Sequence, residues 1–130
     1  MRTTGKLLLV GLAVLLLGGC ASVTGLPQGS VQIGDYKGSF NGHFIWGDIE
    51  VQVYEAPGGA RPVIGNMQQT GQQNMLVFRG EVTGNRLEAT YGFLYGSVTG
   101  ELSPDGTTWS GTFKIEDGPQ DQGTWKATRR

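Results

Sequence analysis

Few residues in this chain could carry chemistry. His43 is the single histidine and Cys20 the single cysteine. No pair of histidines can hold a metal, and any nucleophile–base pair built on imidazole must use His43. The chain has no HExxH, no P-loop and no GxSxG. Carboxylates do fall close together: Asp48 and Glu50 two apart on one strand face, Glu116 and Asp117 with Asp121 in one loop. A glycosidase-type pair needs a cleft that fixes the separation of its two carboxyls, and the loop lacks the ligand count of a calcium site. The expectation is therefore a protein that is not an enzyme, with no catalytic set, no metal and no cofactor. The aromatics point to binding instead, because Tyr and Trp bring large contact area at low entropy cost. Tyr91-Gly92-Phe93-Leu94-Tyr95-Gly96 is the best candidate. A type II′ turn at Gly92-Phe93 would place Phe93 at a hairpin tip with little to cover it. Tyr91, Phe93 and Tyr95 are the expected partner contacts.

Those side chains must be held by strands. Tyr36, Gly38 and Phe40 share one parity. So do Leu76, Phe78, Gly80 and Val82; Leu94, Gly96, Val98 and Leu102; and Trp109, Gly111, Phe113 and Ile115. Polar residues fill the other parity, the pattern of a half-buried antiparallel strand. Eight strands are expected, over 33–40, 43–56, 61–69, 73–83, 86–91, 94–102, 107–115 and 122–129. Turn signals separate them: Asn41-Gly42, Thr70-Gly71, Gly84-Asn85 and Ser103-Pro104-Asp105-Gly106, with looser connections at Pro57-Gly58-Gly59 and Gly118-Pro119. His43 would then be a solvated residue opening the second strand. Phe44 and Trp46 have the opposite parity to Ile49, Val51 and Val53, so a bulge at Gly47-Asp48 is expected, to bring both groups to one face. Four copies of apolar-x-Gly-x-apolar, centred on Gly38, Gly80, Gly96 and Gly111, put glycine on the inward parity, as a tightly coiled barrel requires. The fold class is all-β: an antiparallel meander of about eight strands, as a small closed or partly closed barrel, with a β-sandwich as the alternative.

The N-terminus reads differently. Arg2 and Lys6 precede Leu7–Leu17, a run without a polar side chain. As a helix, Leu7–Cys20 would span about 21 Å, short of the ~30 Å hydrocarbon core, so a cleaved signal fits better than a transmembrane anchor. Leu17-Gly18-Gly19-Cys20 resembles the lipobox of bacterial lipoproteins: an aliphatic residue, two small residues, then the cysteine whose sulfur receives diacylglycerol. The resemblance implies that residues 1–19 are a signal peptide and that Cys20 is lipidated. Residues 20–30 then form a flexible tether, and 31–130 a single all-β domain. It also implies a membrane partner through the lipid and a place in the cell envelope. Ala21 after Cys20 favours the outer membrane if the cell is Gram-negative.

Beyond residue 19 the chain carries eight Lys and Arg against eleven Asp and Glu, interspersed, and 19 of the 23 glycines. No basic stripe is present, so nucleic acid is not an expected partner. With Cys20 alone there is no intramolecular disulfide. The expected function is an envelope-anchored binding or inhibitory module, or a part in envelope assembly, with a protein partner in the envelope. In size and anchor the chain is similar to small lipid-anchored β-barrel inhibitors. The alternative is a carrier of a small apolar ligand, similar to bacterial lipocalins or avidin-like barrels.

Overall fold

Alternation of period two, cut by glycine turns, gives eight strands and, among the described residues, no helix. The computed structural model describes residues 25–118 and 120–130; the expected signal peptide, Cys20 and the start of the tether lie outside the described residues. The strands are β1 Val31–Gly42, β2 Trp46–Glu55, β3 Pro62–Gln69, β4 Met75–Thr83, β5 Arg86–Tyr91, β6 Gly96–Leu102, β7 Thr108–Ile115 and β8 Asp121–Arg129. Each pairs antiparallel with the next, and β8 pairs with β1, so the meander closes into a barrel without edges.

The register fixes the width. Stepping across the sheet from Gly34 leads to Val53, Val63, Gly80, Ala89, Val98, Phe113 and Gly123, and returns to β1 at Gly42, eight residues further along. Eight strands with a stagger of eight tilt by ~36°. With ordinary strand spacing the backbone radius is about 7 Å, just enough for side chains to fill. They do fill it. Tyr36, Phe40, Phe78, Tyr91, Trp109, Phe113 and Trp125 are all buried, with Ile49, Val51, Val63, Met67, Leu87 and Val98 between them. Tyr36 meets Trp109 edge-on at 6.1 Å, and Phe40 meets Phe113 at 5.6 Å. Trp125 Nε1 donates to the carbonyls of Thr99 (2.9 Å) and Thr112 (3.2 Å). Trp109 Nε1 is buried without a partner among the described residues.

The inward glycines let the strands coil this tightly. A Cβ at Gly38, Gly80 or Gly111 would collide with the carbonyl of Lys126, Glu88 or Thr99 on the neighbouring strand. These repeat glycines are thus places where two backbones approach too closely for any side chain. The fourth, Gly96, has φ +152°, and a Cβ there would likewise collide with the Lys114 carbonyl on the neighbouring strand and crowd the Tyr91 ring at 2.9 Å.

Three local expectations are corrected. Residues 46–55 form one regular strand paired without interruption on both sides at Gly47, so Gly47 marks no bulge. Gly47 faces inward, where a Cβ would strike the Gln68 carbonyl, while Phe44 and Trp46 stay outside. The register shift lies instead in β1, between Gln32 and Gly34. The first hairpin does not turn at Asn41-Gly42. Both remain in β1, Asn41 pairs with Trp46, and the tip is His43-Phe44, making His43 an exposed turn residue and not the start of a strand. Gly92-Phe93 is no type II′ turn, because Gly92 has no positive φ. The connection runs from Gly92 to Tyr95, and β6 starts at Gly96 and not at Leu94. The other turns stand where expected: Gly84, Gly106 and Gly71 have φ of +63°, +78° and +82°.

Candidate functional site

Strand direction sorts the connections into two ends. Residues 43–45, 70–74, 92–95 and 116–120 join strands at one end. The other end holds the entry of the chain into β1, residues 56–61, 84–85 and 103–107, and the C-terminus. The two ends differ in chemistry. The entry end is charged: Arg130 pairs with Asp35 (2.9 Å) and Glu50 (3.6 Å), and Arg61 donates to the Gly84 carbonyl. The Arg130 guanidinium, with help from the Gln52 amide, holds the Asp35 carboxyl below its usual pKa. At the far end, three of the four connections, with residues 43–46, 70–77 and 91–96, include no Asp, Glu, Lys or Arg, and the fourth carries the exposed Glu116 and Asp117. Those three include six of the eight large exposed apolar side chains: Phe44, Trp46, Met75, Val77, Phe93 and Tyr95. Phe93 is 98% exposed, so nothing in the fold covers its ring.

Of the three expected contacts, the structure leaves two accessible. Phe93 and Tyr95 stand on the connection after β5. Tyr91 has the inward parity of Leu87 and Ala89 and is buried, its hydroxyl donating to Met67 Sδ at 3.5 Å. Burial pushes the Tyr91 phenol pKa up. The thioether is a weak acceptor, so this phenol is poorly partnered.

Two features of this end were not read from the sequence. The first is a clasp at Asp121. This residue opens β8 and is the one buried charged residue among those described. Its carboxylate accepts from the backbone N–H groups of His43 (2.8 Å), Phe44 (2.9 Å), Ile45 (2.9 Å) and its own neighbour Gln122 (2.8 Å). Burial acts to raise its pKa, but these N–H groups outweigh burial and hold it below the usual 3.8. The three acidic residues expected in one loop are thus divided. Glu116 and Asp117 are exposed, while Asp121 is spent inside the protein, and among the described residues no acidic or histidine cluster could hold a metal. Asp48 is exposed on β2, and the neighbouring Glu50 faces Arg130, not a cleft.

The second feature is the mouth of the barrel. A cavity of about 220 Å³ opens between the ends of β1–β4, floored by Phe40, Ile45, Met67 and Leu76 and edged by Gln69, Gln72 and Asn74. The hydrogen bonds among the described residues include none from the side-chain amides of these three. Parity could have revealed both features. Gly123, Trp125 and Ala127 face inward, so one step back puts Asp121 inward. Val63, Gly65 and Met67 likewise place the polar Gln69 at the inner rim. A larger groove of about 700 Å³ crosses the outside of β4–β6, but Arg79, Glu81, Arg86 and Glu88 line it, and Arg86 and Glu88 pair with each other (2.9 Å). Alternating charge of that kind is a solvated face.

Comparison with protein-family models and with curated proteins finds no match to this chain.

Proposed function

We propose that the chain is an envelope lipoprotein, anchored through Cys20, and that it works as a binding module whose contact surface is the uncharged part of the rim, residues 43–46, 70–77 and 91–96, opposite the point where the tether enters. One observation carries this reading: six of the eight large exposed apolar side chains gather at one end of the barrel, on three neighbouring connections and strand ends that carry no charged residue. Exposed rings cost solvation, and contacts depleted of charge and rich in Tyr, Trp, Phe and Met are the composition of a buried interface centre. The tether enters β1 at the charged end, with Gly29 against Pro57. An anchor there leaves the rim free to meet a partner in the envelope.

The test is site-specific photo-crosslinking in cells. A photoreactive residue at position 93 should capture a discrete partner, and one at Asp105, at the other end, should not. The variant Phe93→Ser/Tyr95→Ser/Trp46→Ser should lose the partner and keep its melting temperature. Equal capture from both ends would refute the assignment of the rim. The anchor is tested separately: Cys20→Ser should abolish labelling by a fatty-acid analogue, and label retained in the variant would refute lipidation.

A further inference from the structure

The rim is not only a set of protruding rings; it also has a hole in it. We infer that the mouth cavity between the ends of β1–β4 is a binding site for a single uncharged aromatic ring carrying one hydrogen-bonding group, as in a phenol or an aniline. Size comes first. An apolar cavity of ~150 Å³ is enough to take benzene, and drug-sized ligands need ~300 Å³ or more. At about 220 Å³ the mouth suits one substituted ring and nothing larger.

Polarity comes second. The half-buried Ile45 and Leu76 supply the accessible apolar surface, and the buried Phe40 and Met67 close the bottom behind them. Gln69, Gln72 and Asn74 offer both donors and acceptors at the edge. A ring with a hydroxyl or an N–H can meet an amide while its body lies on the floor. No lining residue is charged, so a carboxylate or ammonium would lose its hydration without compensation. Beneath the floor, the Tyr91 hydroxyl has only the weak acceptor Met67 Sδ. The polar groups around the mouth are therefore either unengaged or poorly engaged, at a place already open to solvent. Mouths of β-barrels are a recurring place for such sites.

The inference deepens the reading of the rim as a contact surface, but its test needs no partner. Met67 supplies the reporter. In the full chain carried in lipid nanodiscs and labelled with ¹³C-methyl methionine, the Met67 signal is identified by its loss in Met67→Leu. Titration with p-cresol should move that signal saturably, with half-saturation at about 0.1–5 mM, as expected for eight heavy atoms of ordinary efficiency. 4-Methylbenzoate, the same ring with a charge, should bind at least about tenfold more weakly. Leu76→Phe, or Ile45→Phe from the opposite wall, fills the cavity and should abolish the saturable shift while the β-sheet circular dichroism spectrum persists. The peptide acetyl-Gly-Tyr-Gly-amide separates two sources of the same ring. A shift at lower concentration than with p-cresol assigns the site to a partner's side chain, and a shift with p-cresol alone assigns it to a free small molecule. Either result supports the ring site. A Met67 signal that does not move, that moves linearly together with Met75, or that still saturates in folded Leu76→Phe and Ile45→Phe would overturn it. Binding of p-cresol without any cross-link at position 93 would refute the partner reading and leave the ring site standing.

Discussion

Replacing Asp121 with alanine should loosen the first hairpin from the rest of the barrel, by an amount that the geometry bounds. The carboxylate accepts four backbone N–H bonds of 2.8–2.9 Å, three of them from the β1–β2 tip. Hydrogen bonds to a charged group contribute about 1.5–3 kcal/mol each when nothing replaces them. Here water replaces some of them, because His43 and Phe44 are exposed, whereas Ile45 is half-buried. One N–H left without a partner costs about 1–3 kcal/mol, and the bonds that water replaces add about 1 kcal/mol. The expected loss is about 2–4 kcal/mol, which with an ordinary urea dependence moves the unfolding midpoint down by about 1–2 M. Asp121→Asn should cost nearly as much, since its amide must present one donor to a set of donors. The pH dependence checks the cause. The folded-state pKa of Asp121 lies below the unfolded value of 3.8. Its contribution is therefore complete above about pH 5 and is lost as pH falls through 3.8 toward the folded pKa. The stability gap between the parent protein and Asp121→Ala should be constant from pH 5 to 8 and should narrow as pH falls below 3.8. A gap under about 1 kcal/mol at pH 7, or one that does not narrow below that pH, would refute the clasp.

Four further outcomes follow. Trp125→Phe should destabilise more than Trp109→Phe in urea unfolding. The first leaves the carbonyls of Thr99 and Thr112 without their indole donor, and the second removes an N–H that has no partner; the reverse order would contradict the assigned rings. Gly111→Ala, whose Cβ would run into the Thr99 carbonyl, should cost about 3 kcal/mol or more. Gly92→Ala, with open space and an ordinary φ, should stay within about 0.5 kcal/mol in the same assay. Phe93→Ser should leave the melting temperature unchanged, because the ring touches nothing in the fold; a loss near 2 kcal/mol would make it core. Stability should hold up to pH 10 and fall above it, because burial raises the Tyr91 pKa beyond the unfolded value of 10.0, and Tyr91→Phe should remove that part of the alkaline loss.

The barrel was legible because a half-buried strand writes its inner face into every second residue. Leu76, Phe78, Gly80 and Val82 were enough to place β4, and its partners followed from turns too short to allow any pairing but the next strand. Phe44 and Trp46 were misread because they are large and apolar, and a bulge at Gly47 was expected to bring them inside. The structure leaves both outside, together with Phe93, which was expected there. Hydrophobicity says what a side chain gains by being covered, not whether this chain or another molecule covers it. Asp121 failed in the opposite sense. It was grouped with Glu116 and Asp117 by nearness in sequence, although the parity of β8 sends it inward to the N–H groups of a hairpin nearly eighty residues away. Nothing local to residue 121 announces those donors, because they exist only once β8 has closed against β1.

The same closure decides how a barrel of this kind can bind. Eight strands with a stagger of eight leave a radius that Tyr36, Phe78, Trp109 and Trp125 fill, and inward glycines draw the backbones closer still. A carrier that encloses its ligand needs a wider cylinder, obtained by greater stagger or more strands. This chain cannot gain that width by small changes, because Gly38, Gly80 and Gly111 already press against neighbouring carbonyls and the register is continuous around the sheet. Of the two readings open at the start, the binding module keeps a surface to bind with, and the carrier keeps only the mouth. The apolar part of the rim and the mouth cavity lie at that same end. A filled, edgeless barrel serves there as a rigid stand. It fixes the strand ends that carry Trp46 and the 92–95 connection around an opening, so on the proposed reading a partner would meet a backbone whose ordering cost was met when the barrel folded.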